Sequence, residues 1–181
     1  MTPPTNKTYL VLTAVGPDRP GLVSEMAAVI HAAGANLEDS RMAILGGEFA
    51  LLLLVSGSEN AAADVERSLA SLDDKLGLHV VAKRTEPAVT RDFLPYRITV
   101  TGFDRPGIVH RISEILARRS VNVAALESHV AYAPLSGTPM FVLEAELQVP
   151  SAVALAELRR ELSAQCDEEN LDLSLESIRK T

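Results

Sequence analysis

The sequence contains one motif twice, at a spacing of 86 residues. Residues 16–23 read Gly-Pro-Asp-Arg-Pro-Gly-Leu-Val and residues 102–109 read Gly-Phe-Asp-Arg-Pro-Gly-Ile-Val, identical at six of eight positions. The same offset relates Asn36 to Asn122. A repeat of this length is the size of a domain rather than of a solenoid unit, so it indicates two tandem domains. The chain of 181 residues is long enough for two domains of about 90 residues each.

Each copy shows the same order of predicted elements. Apolar runs and alternating segments predict strands over 8–15, 36–45, 49–55 and 78–83, and again over 96–101, 121–132, 140–149 and 171–176. Helical spacing of apolar residues predicts one helix from Leu22 to a stop at Gly34, and its counterpart from Ile108. The second helix of each copy is predicted to follow an N-cap, which is Ser58 or Asn60 in the first copy and Ser151 in the second.

This order is βαββαβ in both copies. It predicts the split βαβ arrangement, in which four antiparallel strands form one layer and two helices cover one face. We therefore predict an α+β protein with a first domain over 7–84, a linker over 85–94 and a second domain over 95–179.

The two copies differ in the strand that follows the first hairpin. Over Phe49–Val55 both alternate faces are apolar, with Ala50, Leu52 and Leu54 on the second face. The corresponding strand of the second copy carries polar residues there, namely Glu144, Glu146 and Gln148. A two-layer domain needs only one apolar sheet face, so the second face is predicted to be covered by the other copy or by another chain. Shielding by the linker or the N-terminus is the alternative.

The repeated turn lies between a strand and a helix and allows two interpretations. It is a good helix start, with Pro20 and Pro106 in the first turn and Asp18 and Asp104 accepting hydrogen bonds from free N–H groups. The functional interpretation is that these N–H groups bind a carboxylate, and Gly21 and Gly107 let the ligand approach closely.

The same turn could also recognise an ammonium group. In the functional interpretation, Asp18 or Asp104 faces that group, so that the pair of charges describes a free amino acid. Asn36 and Asn122 could lie near the turn and offer a donor and an acceptor. A turn residue after the helix is the other interpretation of these asparagines.

The turn, the helix and the following Ala-Asn-Leu or Val-Asn-Val resemble the ACT domain, a small amino-acid-sensing module with a ferredoxin-like fold. The resemblance covers nearly the whole chain as two copies. In length, the chain is most similar to the glycine cleavage system transcriptional repressor family. That resemblance implies paired modules that join their sheets, with ligand sites in the seam. The implied ligand-binding residues are Asp18, Gly21, Leu22, Asn36, Asp104, Gly107, Ile108 and Asn122.

The resemblance also implies the partners. The expected ligand is a small amino acid, with glycine the first candidate, and the expected macromolecular partner is a transcriptional activator protein rather than DNA. A homo-oligomer, most simply a dimer, is expected as well. A regulator that binds DNA directly and a constitutive scaffold that binds no ligand are the alternatives.

The composition of the chain argues against the alternative of direct DNA binding. The chain has 17 basic and 24 acidic side chains and a net charge of −7, without the basic excess that nucleic-acid binding requires. Trp is absent, so no stacking platform for single strands is predicted. No apolar run is long enough to span a membrane and no secretory signal is visible, so the chain is predicted to be cytoplasmic. The single cysteine excludes an internal disulfide.

Catalytic and metal-binding patterns are missing from the sequence. The four histidines show no metal-ligand spacing, so neither a metal nor another cofactor is predicted. Cys166 stands in an acidic run that raises a thiol pKa, which argues against a nucleophile. Acylphosphatases share the βαββαβ order and use an Arg in this turn, so Arg19 and Arg105 keep one enzymatic alternative open. Their glycine pattern is absent, and we predict that the protein is not an enzyme.

Overall fold

The computed structural model describes residues 7–87, 92–133 and 136–178, without the side chains of 70, 71, 73 and 74. The chain divides into two compact units that meet in sequence between residues 89 and 90. We call them module 1 and module 2. Each contains one four-stranded antiparallel sheet and two helices, which confirms the predicted fold class.

Module 1 has the order βαββαβ. Its elements are β1 (Thr8–Pro17), α1 (Leu22–Ala32), β2 (Asn36–Leu45), β3 (Glu48–Gly57), α2 (Glu59–Leu76) and β4 (His79–Thr85). The strands lie in the order β2-β3-β1-β4, so β2 and β4 are the edges of the sheet. All neighbours are antiparallel.

Module 2 repeats this topology. Its elements are β5 (Phe93–Phe103), α3 (Ile108–Arg118), β6 (Asn122–Tyr132), β7 (Pro139–Pro150), α4 (Leu155–Glu169) and β8 (Leu171–Ser177). The strand order β6-β7-β5-β8 is that of module 1. Even the irregularities agree, because a β-bulge falls between Leu37 and Asp39 in β2 and between Val123 and Ala125 in β6.

The core of each module lies between the sheet and its helices. In module 1, alternate residues of β3 from Phe49 to Val55 are buried, and α1 contributes Leu22, Met26 and Ile30. Each fully buried aliphatic or aromatic side chain stabilises the fold by about 1.5–3 kcal/mol before entropy is subtracted. Module 2 has its own core cluster, in which Ile108 and Leu143 occupy the matching positions.

The element boundaries and helix caps agree with the prediction only in part. The strands extend into the predicted linker 85–94, because β4 ends at Thr85 and β5 begins at Phe93; residues 88–91 and 179 lie outside the described residues. Ser58 caps α2 as predicted, since its Oγ accepts a hydrogen bond from the Ala61 N–H at 3.2 Å. The prediction that Ser151 caps α4 is wrong: the N-cap is Ala154, which makes no side-chain cap.

The first glycine of the repeated motif is fixed by packing at the end of β1 and of β5. A Cβ atom on Gly16 would lie 2.5 Å from the carbonyl oxygen of Gly77 and 3.1 Å from the Cα of Leu78. A Cβ on Gly102 would lie 3.1 Å from the carbonyl oxygen of Asn170. Because the Gly77 carbonyl oxygen cannot move aside as a flexible side chain can, position 16 requires glycine, and position 102 leaves little room for a Cβ atom. None of the described helices is both long and apolar enough to cross a membrane.

We predict that Gly16→Ala lowers the free energy of unfolding by about 1–3 kcal/mol, the usual cost of overpacking. Urea denaturation followed by circular dichroism measures this change. The matched control is Asp18→Ala, two residues away on an exposed and uncapped position, where we expect a change within about 0.5 kcal/mol. Equal urea midpoints for Gly16→Ala and the unmodified chain would contradict the close packing described for this strand end.

Candidate functional site

The turn before α1 is anchored to the β2–β3 hairpin. The Asp18 N–H donates a hydrogen bond to the Gly47 carbonyl oxygen over 3.2 Å, so the turn lies beside the hairpin at one end of the sheet. No side chain caps α1 or α3. The prediction that Asp18 and Asp104 accept hydrogen bonds from the helix N–H groups is therefore wrong, and the carboxylates are exposed.

The N-cap of each helix is the second glycine of the motif. Gly21 has φ 98° and Gly107 has φ 95°, in the left-handed region that an L side chain rarely adopts. Pro20 and Pro106 precede these caps, so they do not occupy the first helical turn as predicted. With a glycine at the N-cap, neither helix has a capping side chain to accept hydrogen bonds from the N–H groups of its first turn.

The next residue of the motif belongs to the core. Leu22 is 1% exposed and Ile108 is 2% exposed, because both residues anchor the helix start against the sheet. Of the predicted ligand-binding residues in the turns, Leu22 and Ile108 therefore expose almost no surface to a ligand.

An ion pair closes over the turn in module 1. Arg19 donates from Nη1 to Glu25 Oε1 over 2.7 Å and from Nη2 to Glu25 Oε2 over 2.9 Å. The hydrogen bond from Arg19 lowers the pKa of the Glu25 carboxyl. A Cβ on Gly21 would lie 3.2 Å from Glu25 Oε1, so the pair sits directly above the glycine.

In the corresponding ion pair of module 2, the residue on the first helix is the base rather than the acid. Arg111 stands 86 residues after Glu25, and its guanidinium pairs with Glu169 at the end of α4, with Nη2 donating to Oε2 over 2.6 Å. Arg111 Nη2 also donates to the Pro106 carbonyl oxygen over 3.3 Å. A Cβ on Gly107 would lie 2.5 Å from Arg111 Nη1. The turn of module 2 is therefore bordered by a guanidinium where module 1 has a carboxylate.

The conserved spacing of the asparagines does not bring them to the turns. Asn36 is the first residue of β2 and lies opposite Ser56, whereas the turn follows Pro17, which lies opposite Glu48. Eight residues of β3 separate these two positions, or about 26 Å at roughly 3.3 Å per residue. Within one module, the interpretation that Asn36 lies near the turn is therefore wrong. Asn122 lies opposite Gln148 in the same way.

Both asparagines take part in local hydrogen bonds. Asn122 Nδ2 donates to Gln148 Oε1 over 2.8 Å. Hydrogen bonds from Ser56 and then from Asn36 hold the pKa of the Glu38 carboxyl below its usual value. The Asn36 side chain is exposed at the sheet edge, so it is accessible to a second molecule.

An apolar hollow opens between α1 and the edge strand β2. Its volume is about 110 Å³, and its lining includes Val23, Ala27, Leu37 and Met42, with Ser40 as the polar member. Sequence reasoning missed this hollow, although the alternation of Ser40, Met42 and Ile44 along β2 could have indicated that one face of the edge strand looks towards the helices.

The described residues offer little for covalent or metal chemistry. Burial raises the pKa of the Cys166 thiol to about 11, so this cysteine is not a nucleophile. Over residues 7–87, 92–133 and 136–178, no group of three or more His, Cys, Asp or Glu side chains could hold a metal ion.

Comparison with known proteins identifies relatives of both modules. Residues 8–83 and 96–162 each match the ACT domain family. The chain is 31% identical to the glycine cleavage system transcriptional repressor of Escherichia coli over 176 residues, which cover 96% of this chain and 92% of that protein. A protein of unknown function from Galdieria sulphuraria has a similar structure, with a TM-score of 0.79, 29% identity, and coverage of 96% of this chain and 99% of that one.

A shorter relative matches less than half of the chain. The UPF0237 protein of Methanopyrus kandleri is 31% identical over 81 residues, which cover 44% of this chain and 90% of that protein.

We predict that Glu169→Gln destabilises module 2 in a pH-dependent way. The hydrogen bond from Arg111 lowers the pKa of Glu169, so the stabilisation is present above the usual carboxyl pKa and is lost as the pH falls through the lowered value. Thermal melting at pH 7 should therefore show a lower Tm for Glu169→Gln, and the difference should shrink as the pH falls below the usual carboxyl range. Glu168→Gln, at the exposed neighbouring position, should leave the Tm unchanged across the same pH range. A difference in Tm that stays constant with pH would exclude the ion pair as its cause.

Proposed function

The chain belongs to the ACT domain family, and we propose that it is an amino-acid-sensing regulator of transcription. In this proposal glycine, or another small amino acid, binds at the turns before α1 and α3, and the signal passes to a transcriptional activator protein. The relative from Escherichia coli, matched over nearly its whole length, supports a role in regulating glycine cleavage genes.

One observation carries the proposal: the same uncapped helix start occurs twice. Gly21 and Gly107 are left-handed N-caps at equivalent positions, and no side chain caps either helix. The uncapped N–H groups and the positive end of each helix favour a carboxylate. The exposed carboxylate of Asp18 or Asp104 offers a partner for the ammonium group of the same ligand.

The ion pairs favour a ligand with little or no side chain. Arg19 and Glu25 lie over Gly21, and Arg111 lies over Gly107, so the space beside each turn is narrow. Glycine carries an ammonium group and a carboxylate and has no side chain, so it is the smallest amino acid. This supports glycine as the first candidate among the amino acids.

A second copy of the chain could supply the asparagine that one module cannot. Strand β2 is the edge of its sheet, and its side chains Leu37, Met42 and Ile44 are 40%, 55% and 52% exposed. Two β2 strands paired antiparallel about Met42 would join two sheets into one. In that pairing Asp39 faces Leu45 and Arg41 faces Ala43, so no like charges meet.

This pairing would also complete the site. When the bulge after Leu37 is included, Asn36 of one chain falls opposite Gly47 of the other. The Gly47 carbonyl accepts the Asp18 N–H, so the asparagine of one copy would reach the turn of its partner. The amide could then donate to the ligand carboxylate and accept from its ammonium group.

The proposed output is a protein–protein contact. The net charge of −7 gives the chain no general attraction to nucleic acid. We therefore propose that glycine changes the affinity for an activator protein and leaves binding to DNA to that partner.

We predict that glycine binds the unmodified chain with a measurable heat, and that Asn36→Ala weakens this binding at least tenfold. A hydrogen bond to a charged group contributes about 1.5–3 kcal/mol, which corresponds to a factor of roughly ten or more. Met42→Glu should weaken glycine binding in module 1 as well, because it sets two carboxylates opposite each other in the paired strands. Isothermal titration calorimetry at millimolar glycine measures both effects.

Two control variants accompany these measurements. Asn60→Ala changes an exposed asparagine on α2, and Ser128→Glu places the same charge on β6 at the position equivalent to Met42. Neither should change binding in module 1. No heat with any amino acid would favour the ligand-free scaffold, whereas a large loss of Tm in Asn36→Ala would mark this residue as structural.

We predict that a pull-down with the purified chain recovers a transcriptional activator protein whose retention changes when glycine is added. The same chain alone should not retard DNA in a gel-shift assay at physiological salt. Retention that is the same with and without glycine would contradict sensing. Retardation of DNA by the purified chain would favour the direct DNA-binding alternative.

A further inference from the structure

The sheet of module 1 has an apolar face turned away from its helices. We call this surface outer face 1. Its central side chains are Val11, Thr13, Val15, Ala50, Leu52, Leu54 and Val81. Three of them are close to half exposed: Leu52 at 45%, Val81 at 48% and Val15 at 49%. Because α1 and α2 cover only the opposite face, nothing in the two-layer fold requires these residues to be apolar.

Module 2 shows what the same surface looks like when it faces water. Strand registers place Glu144 where module 1 has Leu52, Glu146 where it has Leu54, and Ser174 where it has Val81. The same fold therefore tolerates a largely polar outer face. The apolar residues of outer face 1 call for another explanation, and contact with a macromolecule is the usual one for such a patch.

We propose that outer face 1 packs against outer face 1 of a second copy of the chain, sheet on sheet. The charges at its rim support this occupant. Asp39, Leu54, Val11 and Lys83 lie on one level across the four strands, with the acid on edge strand β2 and the base on edge strand β4. We place a twofold axis between the two sheets, parallel to their strands. Rotation about this axis reverses the order of the strands in the second copy, so the β2 strand of each copy lies over the β4 strand of the other.

This geometry makes the two faces complementary. Asp39 of each copy meets Lys83 of the other, which gives two reciprocal ion pairs beside an aliphatic centre. Asp39 Oδ1 already accepts from Arg41 Nη1 over 2.6 Å, and the Asp39 side chain is 58% exposed, so its second oxygen can accept from the partner's Lys83. Aligned packing of two twisted sheets brings such faces to about 10 Å from each other.

The surface of outer face 1 also has room for side chains of the second copy. A hollow of about 180 Å³ lies among Val11, Leu52 and Leu54, with Asp39 and Arg41 at its rim. An apolar cavity of roughly 150 Å³ is large enough to hold a benzene ring. A leucine side chain of the other copy therefore fits this hollow.

The outer face of module 2 excludes the same contact. The cross-strand row of module 2 that corresponds to the row from Asp39 to Lys83 consists of Ala125, Glu146, Arg97 and Glu176. In the adjacent row of the same face, Glu127 lies directly opposite Glu144. Two such faces would each bury the carboxylates of Glu127, Glu144, Glu146 and Glu176 with only Arg97 as a basic partner, and a buried carboxylate without a partner is costly. The contact is therefore specific to module 1.

The proposal predicts that Val81→Lys halves the molecular mass of the protein in solution. Val81 lies on edge strand β4 and is half exposed, so a lysine there does not disturb the core. Arg41, Leu52, Thr13 and Val81 lie on one level across the strands, so the twofold axis sets each new lysine against Arg41 of the other copy, and the like charges repel. The matched control is Ser174→Lys at the equivalent position of module 2, which should leave the mass unchanged. Light scattering after size exclusion measures the mass, and equal Tm values confirm that both variants fold.

A charge exchange tests the orientation. Asp39→Lys and Lys83→Asp should each lower the mass in the same way, and the double variant should restore it, because the reciprocal pairs are re-formed with their signs reversed. The proposal is overturned if Val81→Lys keeps the mass of the unmodified chain or if Ser174→Lys lowers it equally. Failure of the double variant to recover the mass, at an unchanged Tm, would reject the twofold axis along the strands. Glycine binding should persist in Val81→Lys, which separates this contact from the β2 pairing proposed above.

Discussion

Antiparallel pairing of β1 with β3, and of β3 with β2, determines where every candidate residue lies. The pairing puts the end of β1 beside the β2–β3 hairpin and puts the start of β2 at the same end of the sheet as the start of β1. The turn at Asp18 and the side chain of Asn36 are consequently at opposite ends of one sheet. No side-chain rotation can bridge a separation of about 26 Å, so a ligand that contacts both must be shared between modules of different molecules.

The sequence was informative wherever a local rule determines the structure. The 86-residue repeat and the apolar spacing were enough to predict twelve elements in the observed order. Helix starts were harder. Asp18, Pro20 and Ser151 all follow the preferences for helix caps, yet Gly21 and Ala154 are the N-caps. Local propensity is weak beside the packing of Leu22 and its neighbours, which decides where a helix begins.

The site was less predictable than the fold because it depends on distant strands. A constant offset from the turn to Asn36 in both copies shows only that both modules have the same topology. It cannot show on which end of the sheet the residue lies, since that follows from strand pairing. The ion pair of Arg111 with Glu169 joins residues 58 positions apart and has no local signal either. By contrast, the apolar second face of β3 was visible because every residue from Phe49 to Val55 is apolar, and alternate residues of a strand lie on opposite faces.

Dependence of the proposed site on two molecules has a thermodynamic consequence. A ligand that touches the turn of one chain and Asn36 of another binds the paired state more tightly than the separate chains, so it must favour pairing by its difference in affinity. Linkage makes the effect reciprocal, and pairing must raise the affinity for the ligand by the same factor. Outer face 1 lies on a different surface from the hydrogen-bonding edge of β2. A contact through outer face 1 can therefore hold two molecules together while the β2 edge stays free for the pairing that depends on the ligand. Glycine would then act by rearranging chains that are already associated, which removes most of the dependence of sensing on protein concentration.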